Sequence, residues 1–334
     1  MSKHGNGKLV AGINGFGRFG LHVLKYWLEH HEDAPFLVAY INDDTLTLEQ
    51  IHRILRTDPY VRVEGHHFEA NGFNLTVHSP DGMEHDIRVS KDEQAGIRWI
   101  GEPELFLECS GKNTAASACA HFLAGRTCQV LVSATCWDAD QTLVYGFNHH
   151  RWSAASRVIS YGSCTVNCYV PLTAWMHERY GVVDSDVNVI HCMPRHRLPH
   201  QTMVRTSCTL ERSGPALLGF LPPERFAVNY TLIPHSGVSI LDLRYRLGRR
   251  VDRNELVASL RHALIAGDLQ TLYGIDPVDR GSEAYNGTSY NAVLIESSVK
   301  VLGDNVYLHA YLDTENSASR YFDLACYIAG QIRR

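Results

Sequence analysis

A pair of cysteines four residues apart stands out in the stretch SYGSCTVNCYVP, residues 160–171. β-Branched residues before Cys164 give way to a segment typical of a helix, which places Cys164 at a helix start. The partial positive charge of a helix N-terminus favours a thiolate, the nucleophilic form of cysteine. By themselves, the two cysteines are compatible with a nucleophile, half of a metal site, or buried thiols.

The remaining cysteines and histidines do not complete a metal site. Zinc needs more ligands than Cys164 and Cys168, and no second Cys or His pair has zinc-like spacing. The sequence therefore predicts no bound metal. The nine cysteines are odd in number and follow no disulfide framework, which favours reduced thiols and a cytoplasmic protein.

A glycine-rich loop near the N-terminus is the second feature that could do chemistry. An apolar strand, residues 8–14, runs into GFGRFG and then into a segment with helical spacing. A second apolar strand, 36–41, is followed by an acidic residue. The glycines let the backbone approach a pyrophosphate, and the acid accepts hydrogen bonds from ribose hydroxyls and repels a 2′-phosphate. The pattern predicts an NAD site that includes Gly15, Phe16, Gly17, Arg18, Phe19 and Asp43.

Strands and helices continue to alternate through the first half of the chain. Strands are predicted at 105–109, 129–135 and 157–162, with a helix over 114–125. This alternation predicts the α/β class, with a Rossmann-type doubly wound parallel sheet. Ligands of such sheets bind at the carboxyl ends of the strands. We therefore add the residues at those ends, Ser110, Gly111 and Ser133, to the cofactor site.

The second half of the chain has a different pattern. Alternating strands are predicted at 186–193, at 236–247 and, as a pair, within 292–313, with a helix over 253–265. This order predicts an α+β catalytic domain with a mostly antiparallel sheet. We expect an NAD-binding domain over residues 1–163, completed by a C-terminal helix in 315–334, and a catalytic domain over 164–314.

Composition and charge disfavour several classes of function. The 334 residues are 45% hydrophobic and 20% charged, with a net charge of −5, which does not suggest nucleic-acid binding. Residues 1–10 lack the apolar core of a signal peptide, and no apolar run approaches the length of a membrane helix. We expect neither a nucleic-acid nor a membrane partner.

Five segments together carry a resemblance to a known family. They are GINGFGRFG at 12–20, IND at 41–43, ECSG at 108–111, GFNH at 146–149 and SCTVNC at 163–168. In this order they resemble phosphorylating glyceraldehyde-3-phosphate dehydrogenases over nearly the whole chain. The resemblance implies that the Cys164 thiolate attacks an aldehyde, that His191 accepts a proton and that hydride passes to NAD. A thioester remains, which phosphate or water attacks. It also implies a packing role for Cys168 and a homo-oligomer, either a tetramer or a dimer.

The resemblance is weaker where the family binds the substrate. Pro194 stands where the family has a phosphate-binding Thr, and Leu232 where it has a phosphate-binding Arg. The same segment contains several basic residues, so we expect an aldehyde that is phosphorylated or otherwise anionic. The candidates for binding it are Arg195, Arg197 and Arg205.

The family pattern is better kept around the nucleophile than near the C-terminus. Ser163 and Thr165 flank Cys164, which supports acyl transfer to inorganic phosphate. Thr314 stands where the family has an Asn that holds the nicotinamide, and Asn316 is the candidate after a local shift. Two other functions stay open: a non-phosphorylating dehydrogenase of the same fold, and an NAD-binding regulatory protein with weak catalysis.

Overall fold

The computed structural model describes residues 7–195, 198, 201–313 and 317–333. The chain forms two compact units. Unit 1 is Met1–Gly162 with Ala318–Arg334, and unit 2 is Ser163–Ser317.

Unit 1 is built on a nine-stranded sheet in the order β3-β4-β5-β2-β1-β6-β7-β9-β8. All neighbouring strands from β5 to β8 are parallel, and the β3-β4-β5 end is antiparallel. The strands are β1 (Leu9–Asn14), β2 (Phe36–Asn42), β3 (His67–Asn71), β4 (Asn74–His78), β5 (Glu84–Ser90), β6 (Leu105–Glu108), β7 (Gln129–Val132), β8 (Gln141–Thr142) and β9 (Val158–Ser160). The helices are α1 (Arg18–Glu29), α2 (Leu48–Thr57) and the short α3 (Ala116–Cys119).

Unit 2 contains a seven-stranded sheet in the order β11-β12-β10-β13-β16-β15-β14. Its strands are β10 (Val182–Met193), β11 (Val204–Arg205), β12 (Phe226–Pro234), β13 (Val238–Leu247), β14 (Tyr273–Asp276), β15 (Ala292–Leu302) and β16 (Asn305–Asp313). Its helices are α4 (Cys164–Tyr180), α5 (Leu210–Leu218) and α6 (Arg253–Ala266). The last helix, α7 (Ala318–Ile332), belongs to unit 1.

The apolar pattern explains why the first sheet is parallel. Every residue of β1 is buried, as expected for a strand covered by helices on both faces. Helices α1 and α7 share one core with this strand, and Tyr26 of α1 stacks on Phe322 of α7. The Trp27 indole N–H donates to the Phe36 carbonyl at 3.0 Å, which ties α1 to β2.

The second sheet is mostly antiparallel, but two of its neighbouring pairs are parallel, β10 with β12 and β14 with β15. The predicted fold class, a Rossmann-type doubly wound sheet plus an α+β domain, is therefore confirmed. In the part of the chain that the structure describes, no helix is long and apolar enough to cross a membrane.

Candidate active site

The glycine loop after β1 has a shape that requires glycine. Gly15 has a φ of +92°, and a Cβ there would lie 2.4 Å from the Ser110 Cα. A Cβ at Gly20 would lie 2.0 Å from the Gly15 carbonyl oxygen, so α1 starts tight against the loop. Gly17 is the N-cap of α1 and offers no side-chain hydrogen bond to the first turn of the helix. Nothing lies within 4 Å of a Cβ built at Gly17. This open helix N-terminus suits an anionic group such as a pyrophosphate.

Asp43 connects this loop to the end of β2. Its Oδ2 accepts the Phe16 N–H at 2.7 Å, and its Oδ1 accepts N–H groups from Thr45 and Leu46. Burial alone would raise the pKa of Asp43, but these hydrogen bonds outweigh it and lower the pKa, so the carboxylate is ionised. Oδ2 keeps one lone pair, which is enough to accept a ribose hydroxyl.

The other predicted cofactor residues of unit 1 differ in what they offer. The Arg18 guanidinium pairs with Asp58 at 2.8 Å, and the Phe19 ring packs edge-on against Tyr161 and Tyr321. Both side chains therefore serve internal contacts. At the neighbouring strand ends, Ser110 is tied through its N–H to Glu108 at 2.8 Å, Gly111 is exposed with a φ of +68°, and Ser133 is half-buried.

In unit 2, the start of α4 and the end of β10 bring two of the predicted residues together. Cys164 is the first residue of α4, and Ser163 caps the helix by accepting the Val166 N–H at 3.4 Å. The Cys164 Sγ lies 3.7 Å from the Nε2 of His191. The two side chains are therefore in hydrogen-bond contact, which is the arrangement of a thiol nucleophile and its base.

The protonation of this pair differs from the expectation based on the helix alone. Burial, and secondly the neighbouring Cys208, raise the pKa of Cys164 to about 12, although backbone N–H groups at the helix start oppose the shift. Burial lowers the pKa of His191 to about 4. Both directions favour a neutral thiol that donates to a neutral imidazole. The expected thiolate is therefore not the resting form, because burial outweighs the charge of the helix N-terminus.

Three hydroxyl groups form a cluster beside Cys164. The Ser163 Oγ lies 3.1 Å from the Thr165 Oγ1, and the Thr209 hydroxyl donates to the Ser163 Oγ at 3.2 Å. Cys208 lies next to them, with its Sγ 3.7 Å from the Thr165 Oγ1. Hydroxyls at a helix N-terminus suit a small oxyanion. Thr209 was not predicted, because it lies 45 residues after Cys164 in the chain and belongs to no motif.

Comparison with known proteins places this geometry in context. The glyceraldehyde-3-phosphate dehydrogenase of Geobacillus stearothermophilus is 28% identical to the chain over 339 residues, which cover 96% of the chain and 98% of the relative. Glyceraldehyde-3-phosphate dehydrogenase 1 of Bacillus cereus is 29% identical over 337 residues, with the same coverage of each chain. The chain is therefore similar to glyceraldehyde-3-phosphate dehydrogenases over nearly its whole length. No protein-family model matches the chain.

The candidate substrate residues are scattered in the structure. Arg205 lies on β11 and donates to the Asn229 Oδ1 at 3.0 Å. In the sheet, His191 pairs with Leu232, whereas Arg205 pairs with the preceding residue, Thr231. Because successive residues of a strand point to opposite faces, the Arg205 side chain lies on the face opposite that of His191. Arg195 is exposed beyond the end of β10. Arg197, Thr314 and Asn316 lie outside the described residues.

Two further features bear on the chemistry of the site. Tyr230, which was not predicted, has its ring centroid 5.4 Å from that of His191. Cys168 is fully buried within α4, as its predicted packing role requires.

Among the described residues, a single group of three potential metal ligands occurs, His31, Glu32 and Asp81, and it includes neither cysteine of the opening motif.

Proposed function

We propose that this chain is an NAD-dependent aldehyde dehydrogenase in which Cys164 is the nucleophile and His191 the base. One observation carries the proposal: the 3.7 Å contact between the Cys164 Sγ and the His191 Nε2, at the start of α4. Because His191 is neutral, its Nε2 is able to take the thiol proton while sulfur attacks the aldehyde carbon. The His191 imidazolium then returns this proton to the former carbonyl oxygen, which gives a thiohemiacetal on Cys164.

The glycine loop of unit 1 is the proposed NAD site. The open N-terminus of α1 at Gly17 would face the pyrophosphate, and the free lone pair of the Asp43 Oδ2 would accept a ribose hydroxyl. NAD, when bound, supplies the hydride acceptor that oxidation of the thiohemiacetal to a thioester requires. Ser110, Gly111 and Ser133 remain proposed cofactor contacts because they end neighbouring strands.

We propose that inorganic phosphate resolves the thioester. The hydroxyls of Ser163, Thr165 and Thr209 support this choice, because together they offer several donors to phosphate oxygens next to the acyl group. Hydrolysis would need only a water molecule and would give this cluster no role. The anionic aldehyde expected from Arg195, Arg197 and Arg205 draws no support from the position of Arg205, which lies on the other sheet face.

The experiment is an aldehyde panel followed by NADH formation, with and without inorganic phosphate. Without phosphate, the enzyme is expected to release one NADH per site in a burst and then stall, with the acyl group on Cys164 seen by intact-mass spectrometry. Cys164→Ala is the control and should give no burst. Steady turnover without phosphate would instead identify the hydrolytic enzyme. Absence of any burst across the panel, together with tight NAD binding, would favour the regulatory protein.

A further inference from the structure

The sheet face that carries His191 has an uncharged row next to the base. His191 on β10 pairs with Leu232 on β12, and Leu232 pairs with Val204 on β11. Paired residues of neighbouring strands project from the same face of a sheet. The row across this edge therefore consists of the imidazole of His191 and the aliphatic side chains of Leu232 and Val204. Leu232 and Val204 are both only half-buried, so their side chains are available to a ligand held at Cys164.

Tyr230 adds a polar group to the same face. It precedes Leu232 by two residues on β12, so the two side chains share a face. Its ring is tilted by 47° against the His191 ring at a centroid distance of 5.4 Å. Among the described residues, its hydroxyl has no hydrogen-bond partner. Burial, and then the thiols Cys164 and Cys208, raise the pKa of Tyr230, so the phenol stays protonated and remains a donor.

Arg205 is the one charged residue in β11 and β12, both of which the structure describes in full, and it lies on the opposite face. Arg205 and Asn229 contact each other there, and Ala227 and Thr231 share that face by alternation. A phosphate placed beside Leu232 would therefore lose hydration without gaining an ionic partner from β11 or β12.

We propose that Val204, Leu232 and Tyr230 bind the tail of the aldehyde, and that this tail is short and uncharged, with the Tyr230 phenol donating to a hydroxyl where the substrate has one. This inference rests on the proposed function, since it concerns the substrate of the Cys164 site. It assigns the specificity of the enzyme to β11 and β12, while bond making belongs to α4 and β10. Leu232 excludes a charged tail, and Tyr230 selects for a hydroxylated one.

The test compares kcat/KM for three aldehydes: glyceraldehyde 3-phosphate, glyceraldehyde and butanal. The wild-type enzyme is expected to prefer both uncharged aldehydes to the phosphorylated one by about tenfold or more. Leu232→Arg should move this ratio toward the phosphorylated aldehyde by about tenfold or more, because it places a guanidinium beside the substrate tail. Ala227→Arg is the matched control, because it adds the same charge to an exposed position on the other face of β12. It should leave the ratio unchanged.

A second variant isolates the phenol. Tyr230→Phe should lower kcat/KM for glyceraldehyde by roughly fivefold to tenfold, the effect of one hydrogen bond, and leave the value for butanal unchanged. If Leu232→Arg fails to fold, as judged by its melting temperature, Val204→Arg on the short edge strand tests the same row. A similar shift is expected there.

The outcomes separate the inference from the function on which it rests. A wild-type preference for glyceraldehyde 3-phosphate of tenfold or more, with NADH formation lost in Cys164→Ala, would overturn the uncharged tail and leave the dehydrogenase intact. An unchanged ratio in a folded Leu232→Arg would also overturn it. Failure of every aldehyde to give Cys164-dependent NADH would overturn the proposed function itself, and the inference with it.

Discussion

The protonation of Cys164 makes a prediction that pH alone can test. With its pKa raised to about 12 by burial, the thiol is almost wholly protonated at neutral pH in the ligand-free protein. Below that pKa the thiolate fraction grows about tenfold for each pH unit. From pH 8.5 to 9.5 the alkylation rate of Cys164 should therefore rise about tenfold. An ordinary thiol with a pKa near 8.5 gains less than about twofold over the same step.

The assay is brief exposure to iodoacetamide between pH 6 and 9.5, with modification of Cys164 measured by peptide mass spectrometry. N-Acetylcysteine in the same tube corrects for the reagent, and the buried Cys168 should stay unmodified in the folded protein. A plateau in the Cys164 rate below pH 8 would refute the reasoning. It would mean that a thiolate–imidazolium pair with His191 prevails over burial, and His191→Asn should then abolish the plateau.

Three substitutions and one pH profile give clear expectations. His191→Asn should lower kcat for aldehyde oxidation by about 10²–10⁴-fold at pH 7, since it removes the base. In the wild type, kcat/KM should fall only as the pH approaches about 4, where His191 gains a proton. Gly12→Ala should cost about 1–3 kcal/mol in urea unfolding, because its Cβ would lie 2.6 Å from the Trp99 ring. Asp44→Ala releases Lys112 from their ion pair and should raise kcat/KM for NADP relative to NAD by about fivefold, a gain that Lys112→Ala should cancel.

The first unit was largely predictable because its signals are local. Strands β1 and β2 are continuous apolar runs, and the glycine loop stands directly between β1 and α1. Each of these features depends on neighbours in the chain. The helix predicted over 114–125 is shorter in the structure, where α3 ends at Cys119 and a 3-10 turn follows. Phe122 in that turn is fully buried and stacks on Phe106 at 4.1 Å, so tertiary packing sets the local backbone.

Strand β12 was not predicted from the sequence. Without it, the prediction of the site lacked the residues that lie beside His191. Its residues alternate between half-buried and exposed only over the first part of the strand. The two-residue periodicity that predicts a strand is therefore weak. Its parallel pairing with β10 joins segments about 40 residues apart, which no local pattern encodes. Tyr230 and Leu232 reach His191 only through this register. Cys164 and His191 could be found from the sequence because a short motif surrounds the first and a strand end carries the second.

Arg205 shows how one residue of register decides a functional assignment. As a basic residue near the predicted base, it is a reasonable partner for an anionic substrate. In the sheet it pairs with Thr231, whereas Val204 pairs with Leu232, so the arginine and the base project from opposite faces. The proximity in sequence was informative, but the direction of the side chain depends on a two-residue strand that pairs only at the sheet edge.

The proposed roles fall on different elements, which would let the substrate change while the chemistry at Cys164 is kept. The proposed nucleophile and the hydroxyl cluster depend on the start of α4, and the proposed base depends on the end of β10. The proposed site for the tail of the aldehyde is on β11 and β12, whose side chains make no hydrogen bond to Cys164 in the described chain. A substitution at Leu232 therefore changes what lies beside the imidazole without moving Sγ from Nε2. For this reason Leu232→Arg should change the ratio of kcat/KM between aldehydes, while the acyl-enzyme burst on the preferred aldehyde remains. Any loss of the Cys164–His191 contact should instead abolish the burst on every aldehyde.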